Sequence, residues 1–110
     1  MNKRYFTLCC LILTLMGGKP GWARPIVGNP QAGALKKWMC AGCHGIKDYR
    51  TAYPKVYDVP KLGGQHAAYI VKALEEYKSG ARSFPDMRAI ASSLSPQDIA
   101  DLAAYYGGKK

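Results

Sequence analysis

The residues best suited to chemistry stand together at Cys40-Ala41-Gly42-Cys43-His44. Two thiols three apart, followed at once by an imidazole, form C-x-x-C-H, the attachment signature of a c-type heme. Thiols at that spacing can add to the two vinyl groups on one edge of a porphyrin and form thioethers. The adjacent imidazole then lies under the iron and ligates it through Nε2. The porphyrin sets the spacing, so the motif is fairly specific. Three other chemistries compete. A thioredoxin-like redox pair at Cys40 and Cys43 needs a preceding strand and a βαβ context, and none is visible in the sequence. Cys40, Cys43, His44 and His66 supply a Cys₂His₂ zinc donor set, although Cys43 and His44 are adjacent and awkward to aim at one small ion. A plain disulfide is the third.

A heme iron takes a ligand on its other face, or that face stays open to small molecules. Downstream of the motif there is one methionine, Met87, and one further histidine, His66. Met87 follows Phe84-Pro85-Asp86, a break that could carry a thioether back over the heme. At the spacing 87, 90, 91, 94 it also fits an apolar helical stripe, where a Met is usually an ordinary core residue. Met87 leads; His66 and an open face are the alternatives. Met39 directly precedes Cys40, on the wrong side of the attachment strap, and reads as core.

Helices must position these groups. Asn29-Pro30 offers a cap and a first helical position for a helix running toward Cys40. Residues 45–64, with Pro54 and Pro60, form a long irregular stretch. In so small a domain such a loop is usually wrapped around something. From Gln65 the pattern turns helical, with Tyr69, Ile70, Ala73, Leu74 and Tyr77 on one face and Gly80 at the end. Met87, Ile90, Ala91 and Leu94 recur at threes and fours. Ser95 caps a last helix with Pro96 first and Asp98 three residues on. Its stripe is Ile99, Leu102, Ala103 and Tyr106, and Gly107 stops it. No strand alternation is evident. The expected class is all-α, about four helices wrapped around one heme.

The functional domain is shorter than the chain of 110 residues. Residues 1–23 read as a cleaved signal peptide, with Lys3 and Arg4, then an apolar run over 8–16, then Gly21-Trp22-Ala23. The run is too short to span a bilayer, and it carries Cys9 and Cys10 away with it. The mature domain, 24–110, keeps 13 basic residues against 7 acidic ones, a balance of +6 where the whole chain has +9. A domain of this size buries roughly 60–65% of its unfolded surface, so its core is marginal and a covalent cofactor would complete it. Export also strengthens the heme reading, because covalent attachment occurs outside the cytoplasm.

The chain resembles the class I c-type cytochromes, most closely a single domain of the bacterial diheme cytochromes of the c-four group. Ala32-Gly33 stands where that group often has Ala-Gly in its first helix. The heme box runs Cys40-Ala41-Gly42-Cys43-His44-Gly45, and Pro60-Lys61-Leu62-Gly63-Gly64-Gln65 matches a P-x-L-x-G-Q segment. Tyr69, Leu74, Tyr77, Gly80 and Arg82 match the next helix and turn. Met87, Leu94-Ser95, Asp98-Ile99, Leu102-Ala103 and Tyr105 match the last segment. The resemblance implies that the first and last helices cross near Gly33. It implies that the Pro60 carbonyl accepts the His44 Nδ1–H bond, and that Met87 is the sulfur ligand opposite His44. Gln65, Tyr69 and Arg82 are candidates for the heme propionates. The loop with Tyr49, Tyr53, Tyr57, Lys47, Arg50 and Lys55 does not match the group. It reads first as a solvated rim with tyrosines against the heme edge, and second as a docking patch.

The function this implies is one-electron transfer in the periplasm, between redox proteins with acidic docking surfaces, by a monoheme chain that is a monomer or weak dimer. An electron-accepting subunit of a periplasmic dehydrogenase is an alternative; a heme gas sensor needs Met87 not to ligate. The charge and tyrosines suggest nucleic acid, but export argues against it and no such motif is present. No residue set proposes a catalytic acid, base or nucleophile, and the mature chain has no expected membrane span. The exported protein should begin at Arg24 and carry one heme that acidic solvent does not extract. Intact-mass measurement of periplasmic material checks both; a chain retaining Met1 would contradict the first.

Overall fold

The computed structural model describes Gly21 and residues 23–109. The leader expected over 1–23, Cys9 and Cys10 included, lies outside the described residues apart from Gly21 and Ala23. Asn29 opens α1 (Pro30–Lys36), its side chain accepting the Gln31 and Ala32 N–H groups at 2.9 and 3.1 Å. These are donors that the first helical turn leaves without backbone partners. One residue, Lys37, separates α1 from α2 (Trp38–His44). The single first helix expected from the sequence is therefore two. Lys37 keeps right-handed helical dihedrals, but the Cys40 N–H reaches back only three residues to the Lys37 carbonyl. That tighter turn divides the helix directly before the motif.

Beyond α2 the irregular stretch contains a short hairpin, β1 (Arg50–Thr51) against antiparallel β2 (Tyr57–Asp58). Strands of two residues are too short to show alternation, which is why the sequence pattern reveals none. Three helices complete the chain, α3 (Ala67–Ser79), α4 (Pro85–Ser92) and α5 (Pro96–Gly107), making five among the described residues. Gly80 ends α3 at φ +86°, a left-handed conformation in which a side chain would clash with its own backbone. Ser95 and Asp98 form the reciprocal capping box at the start of α5. Gly107 is the last helical residue and Gly108 the cap, one position beyond the stop expected from the sequence.

α1 crosses α5 where Gly33 meets Asp101. A β-carbon on Gly33 would stand 2.1 Å from the Asp101 carbonyl oxygen, a distance real atoms do not occupy. The backbones therefore touch only because residue 33 has no side chain. Asp101 also joins the two ends of the fold through its carboxylate. It is 3% exposed, yet it accepts the Asn29 N–H, the Gln97 amide and the Lys36 ammonium, each at 2.8 Å. A buried charge with every side partnered avoids the desolvation cost that an unpaired one incurs. Lys36 also reaches Asp98 at 2.6 Å. The core above this crossing comprises Ile70 and Leu74 of α3, Ala91 of α4, Leu94, and Ile99, Leu102 and Ala103 of α5.

The Lys36 ammonium, with further bonds from the Asn29 backbone and Gln97, holds the Asp101 carboxyl below the usual range. The same ammonium and the Ser95 cap pull Asp98 to about 2. Both native values lie below the unfolded value of about 3.9, so their stabilisation is complete above that pH and fades as pH falls toward 2. Asp101→Asn should cost about 2 kcal/mol at pH 7 and should lose less stability than the parent between pH 5 and pH 3. Denaturant midpoints across that range check it; parallel losses in the two proteins would contradict it.

Candidate functional site

The helices leave a cavity of about 520 Å³ between α2, the hairpin, α3, α4 and α5. That volume falls in the range of cofactor pockets, roughly 300–1,000 Å³. Its lining is chiefly apolar. α2 contributes Met39, Cys40, Cys43 and His44; α4 contributes Met87 and Ile90; α5 contributes Leu102 and Tyr106. The α3 face foreseen from periodicity, Tyr69, Ile70, Ala73, Leu74 and Tyr77, lines it in full. Residues of the long loop and the segment after it, Thr51, Tyr57, Val59, Pro60, Leu62 and Gln65, wrap the same space.

Helical spacing brings Cys40, Cys43 and His44 to one side of α2, because residues three and four apart share a face. Cys40 is half-buried and Cys43 exposed, and the two are not joined as a disulfide. Burial pushes the Cys40 thiol up, against a smaller opposite pull from the Tyr106 hydroxyl. Burial likewise pushes Tyr106 up to about 12, with the Cys40 thiol adding to it.

His44 Nδ1 lies 2.6 Å from the Pro60 carbonyl oxygen. A carbonyl can only accept, so Nδ1 carries the proton and donates. Nε2 is then left with its lone pair available to a metal. His66, the alternative ligand, is the exposed cap residue of α3 and is absent from the cavity lining. Among the described residues, no group of three or more His, Cys, Asp or Glu converges on a metal-ion position. Arg82, Tyr69 and Gln65 all reach the cavity. Arg82 is held there by Glu76 at 2.5 Å, with its guanidinium 5.6 Å from the ring centres of both Tyr69 and Tyr77.

Sequence reasoning does not assign Tyr106, Phe84 or Ile90 to the site. Tyr106 is legible only as part of an apolar stripe, and a stripe does not say whether it faces core or cavity. Phe84 is legible only as part of a break before Met87; its ring packs 5.3 Å from that of Tyr57. Tyr49 lies away from this cavity, on a second, more polar hollow of about 930 Å³ with Lys47, Asp48 and Arg50.

The family model of cytochrome c matches residues 34–106. The chain belongs to the cytochrome c family. Cytochrome c4 of Pseudomonas aeruginosa is 38% identical over 110 residues, covering 100% of this chain and 50% of that protein. Cytochrome c-554(548) of Halomonas halodenitrificans is 36% identical over 86 residues, covering 76% of this chain and 99% of that protein. The crystal structure of reduced recombinant cytochrome c4 from Pseudomonas stutzeri superposes with a TM-score of 0.55 at 32% identity, covering 76% of this chain and 52% of that one. The chain thus spans about half the length of the cytochrome c4 relatives it matches. The fold is that of a class I cytochrome c, and the cofactor is covalently bound heme c.

This cytochrome c has a cavity that suits the group. The volume is adequate, the walls are chiefly apolar, two thiols three residues apart reach it, and one imidazole is oriented by its own hydrogen bond. A chain with Cys40→Ser and Cys43→Ser should retain no heme after denaturing electrophoresis and should accumulate far below the parent level. A fold stabilised by bound cofactor loses that stabilisation with it. Heme staining and soluble yield check this; covalent heme in the double variant would overturn the assignment of the two thiols.

Proposed function

We propose that this cytochrome c is a one-electron carrier of the periplasm, its heme attached through Cys40 and Cys43 and its iron held between His44 and Met87. The observation that carries the reading is that these four side chains, from two different helices, all reach one apolar cavity. When bound, the heme supplies an iron that changes oxidation state by one electron at a time. The remaining contributions come from the chain. The Pro60 carbonyl holds the Nδ1 proton of His44, which fixes the ring and makes Nε2 a better donor. Met87 offers a neutral, soft thioether, which favours the ferrous state more than a second imidazole would. Phe84, Ile90, Leu74 and Leu102 supply apolar wall that would shield the bound group from water. With His44 and Met87 both holding it, the iron would keep no place for a substrate, which fits electron transfer rather than catalysis.

Its partners are other redox proteins. The leader read over residues 1–23 supports export and a mature domain over 24–110. Among the described residues no helix is long and apolar enough to cross a membrane.

Met87→Ala tests the ligand directly. The oxidised parent should show the weak near-infrared band of sulfur-to-ferric-iron charge transfer. The variant should lose it, bind added cyanide readily and have a lower reduction potential, with heme still covalently attached. If Met87 were only a core residue, the change would cost about 2–5 kcal/mol of stability and leave the spectrum in place. A parent that lacks the band and binds carbon monoxide readily would overturn the carrier reading in favour of a sensor.

A further inference from the structure

The loop that departs from the family pattern has two sides. Its inner side is part of the cavity wall, through Thr51, Tyr57 and Val59. Its outer side presents apolar groups to solvent: Tyr53 is 82% exposed and Val56 65%, with Ile46 also exposed. Tyr57 belongs to both sides, lining the cavity while 45% of it remains exposed. At that ring the cofactor cavity comes within one side chain of the surface.

Charged residues flank these apolar groups along the loop. Lys47, Arg50, Lys55 and Lys61 lie on or beside the loop, with Asp48 and Asp58 as its acidic residues. Arg50 and Asp58 pair across the hairpin at 2.6 Å. Among the described residues, no ion pair joins Lys47, Lys55 or Lys61 to a carboxylate. The Lys55 ammonium sits 5.9 Å from the centre of the Tyr57 ring. Exposed apolar groups on one loop with lysines outside any ion pair suit a docking face for a partner of opposite charge. A second copy of the chain would bring like charges together there.

We propose that the outer face of residues 46–57 is the surface on which an acidic redox protein docks, with Tyr53 and Val56 at its apolar centre and Lys47 and Lys55 steering the approach. The proposal rests on the carrier reading above, since it places the partner against the wall of the heme cavity. It also gives the unmatched loop a task that a solvated rim would not have.

The test is electron exchange of the reduced holoprotein with two acceptors, an acidic blue-copper protein and hexacyanoferrate(III), followed by stopped flow across ionic strengths. Lys47→Glu/Lys55→Glu should slow exchange with the blue-copper protein at least tenfold at low salt and remove most of its salt dependence. Lys72→Glu/Lys109→Glu, which changes the net charge equally at other positions, should slow it by less than threefold. Tyr53→Ser/Val56→Ser should slow the protein acceptor severalfold and leave hexacyanoferrate unchanged, because a small ion needs no apolar seat. Equal slowing by the two charge-reversed variants would assign the attraction to net charge and overturn the docking face alone. So would rates unchanged in the loop variants, including the case where the loop charges are instead needed to bind phosphatidylglycerol vesicles. Exchange with neither acceptor would overturn the carrier reading and the docking face together.

Discussion

Leu102 is the largest side chain fully buried among the described residues. Four other large groups of α3, α4 and α5, Tyr77, Met87, Ile90 and Tyr106, end at the cavity and are only half-buried. The helices therefore do not complete one another's burial, and the cofactor is the missing part of the core. At about 25 cal/mol per Å² of apolar surface removed from water, filling that space matters for a domain whose own core is marginal. Covalent attachment makes the filling permanent. On the proposed attachment, the thiols at 40 and 43 would be as much a stability device as a binding motif.

The surroundings of the cavity answer that requirement. The crossing of α1 and α5 at Gly33 closes the fold outside the cavity lining, with Asp101 of α5 bonded to both ends of α1. The hairpin and Pro60 close it from the side of His44. A single hydrogen bond from Nδ1 to the Pro60 carbonyl then orients a helix-borne imidazole and leaves Nε2 open to a metal. The loop that supplies this wall also carries the exposed Tyr53 and the lysines at 47 and 55.

Much of this is legible in the sequence because it is local. Asn29, Ser95, Pro96, Asp98 and Gly80 announce helix ends through hydrogen-bonding and backbone rules that need no tertiary information. The spacing of Cys40, Cys43 and His44 is dictated by the porphyrin, and so survives translation into a string of letters. The break at Lys37 and the two-residue strands are not legible, because neither leaves a periodic trace. Tyr106 is not legible as a cavity residue for a different reason. The face of α5 that meets α3 and the face that meets the cavity are both apolar, and only packing tells them apart. The second side of the loop is likewise hidden, since alternation between Thr51 or Tyr57 and the exposed Tyr53 and Val56 depends on how the hairpin turns.

The central claim is that Met87 and His44 hold one iron between them within this cavity. The proton spectrum of the reduced holoprotein tests it most directly. A methyl group bound through sulfur over the face of a porphyrin lies in the shielding cone of the ring current. One methionine methyl resonance should be shifted far upfield of all other methyls and be assignable to Met87 by its loss in Met87→Leu. A Met87 methyl at the ordinary position of a core methionine, with covalent heme present, would contradict it.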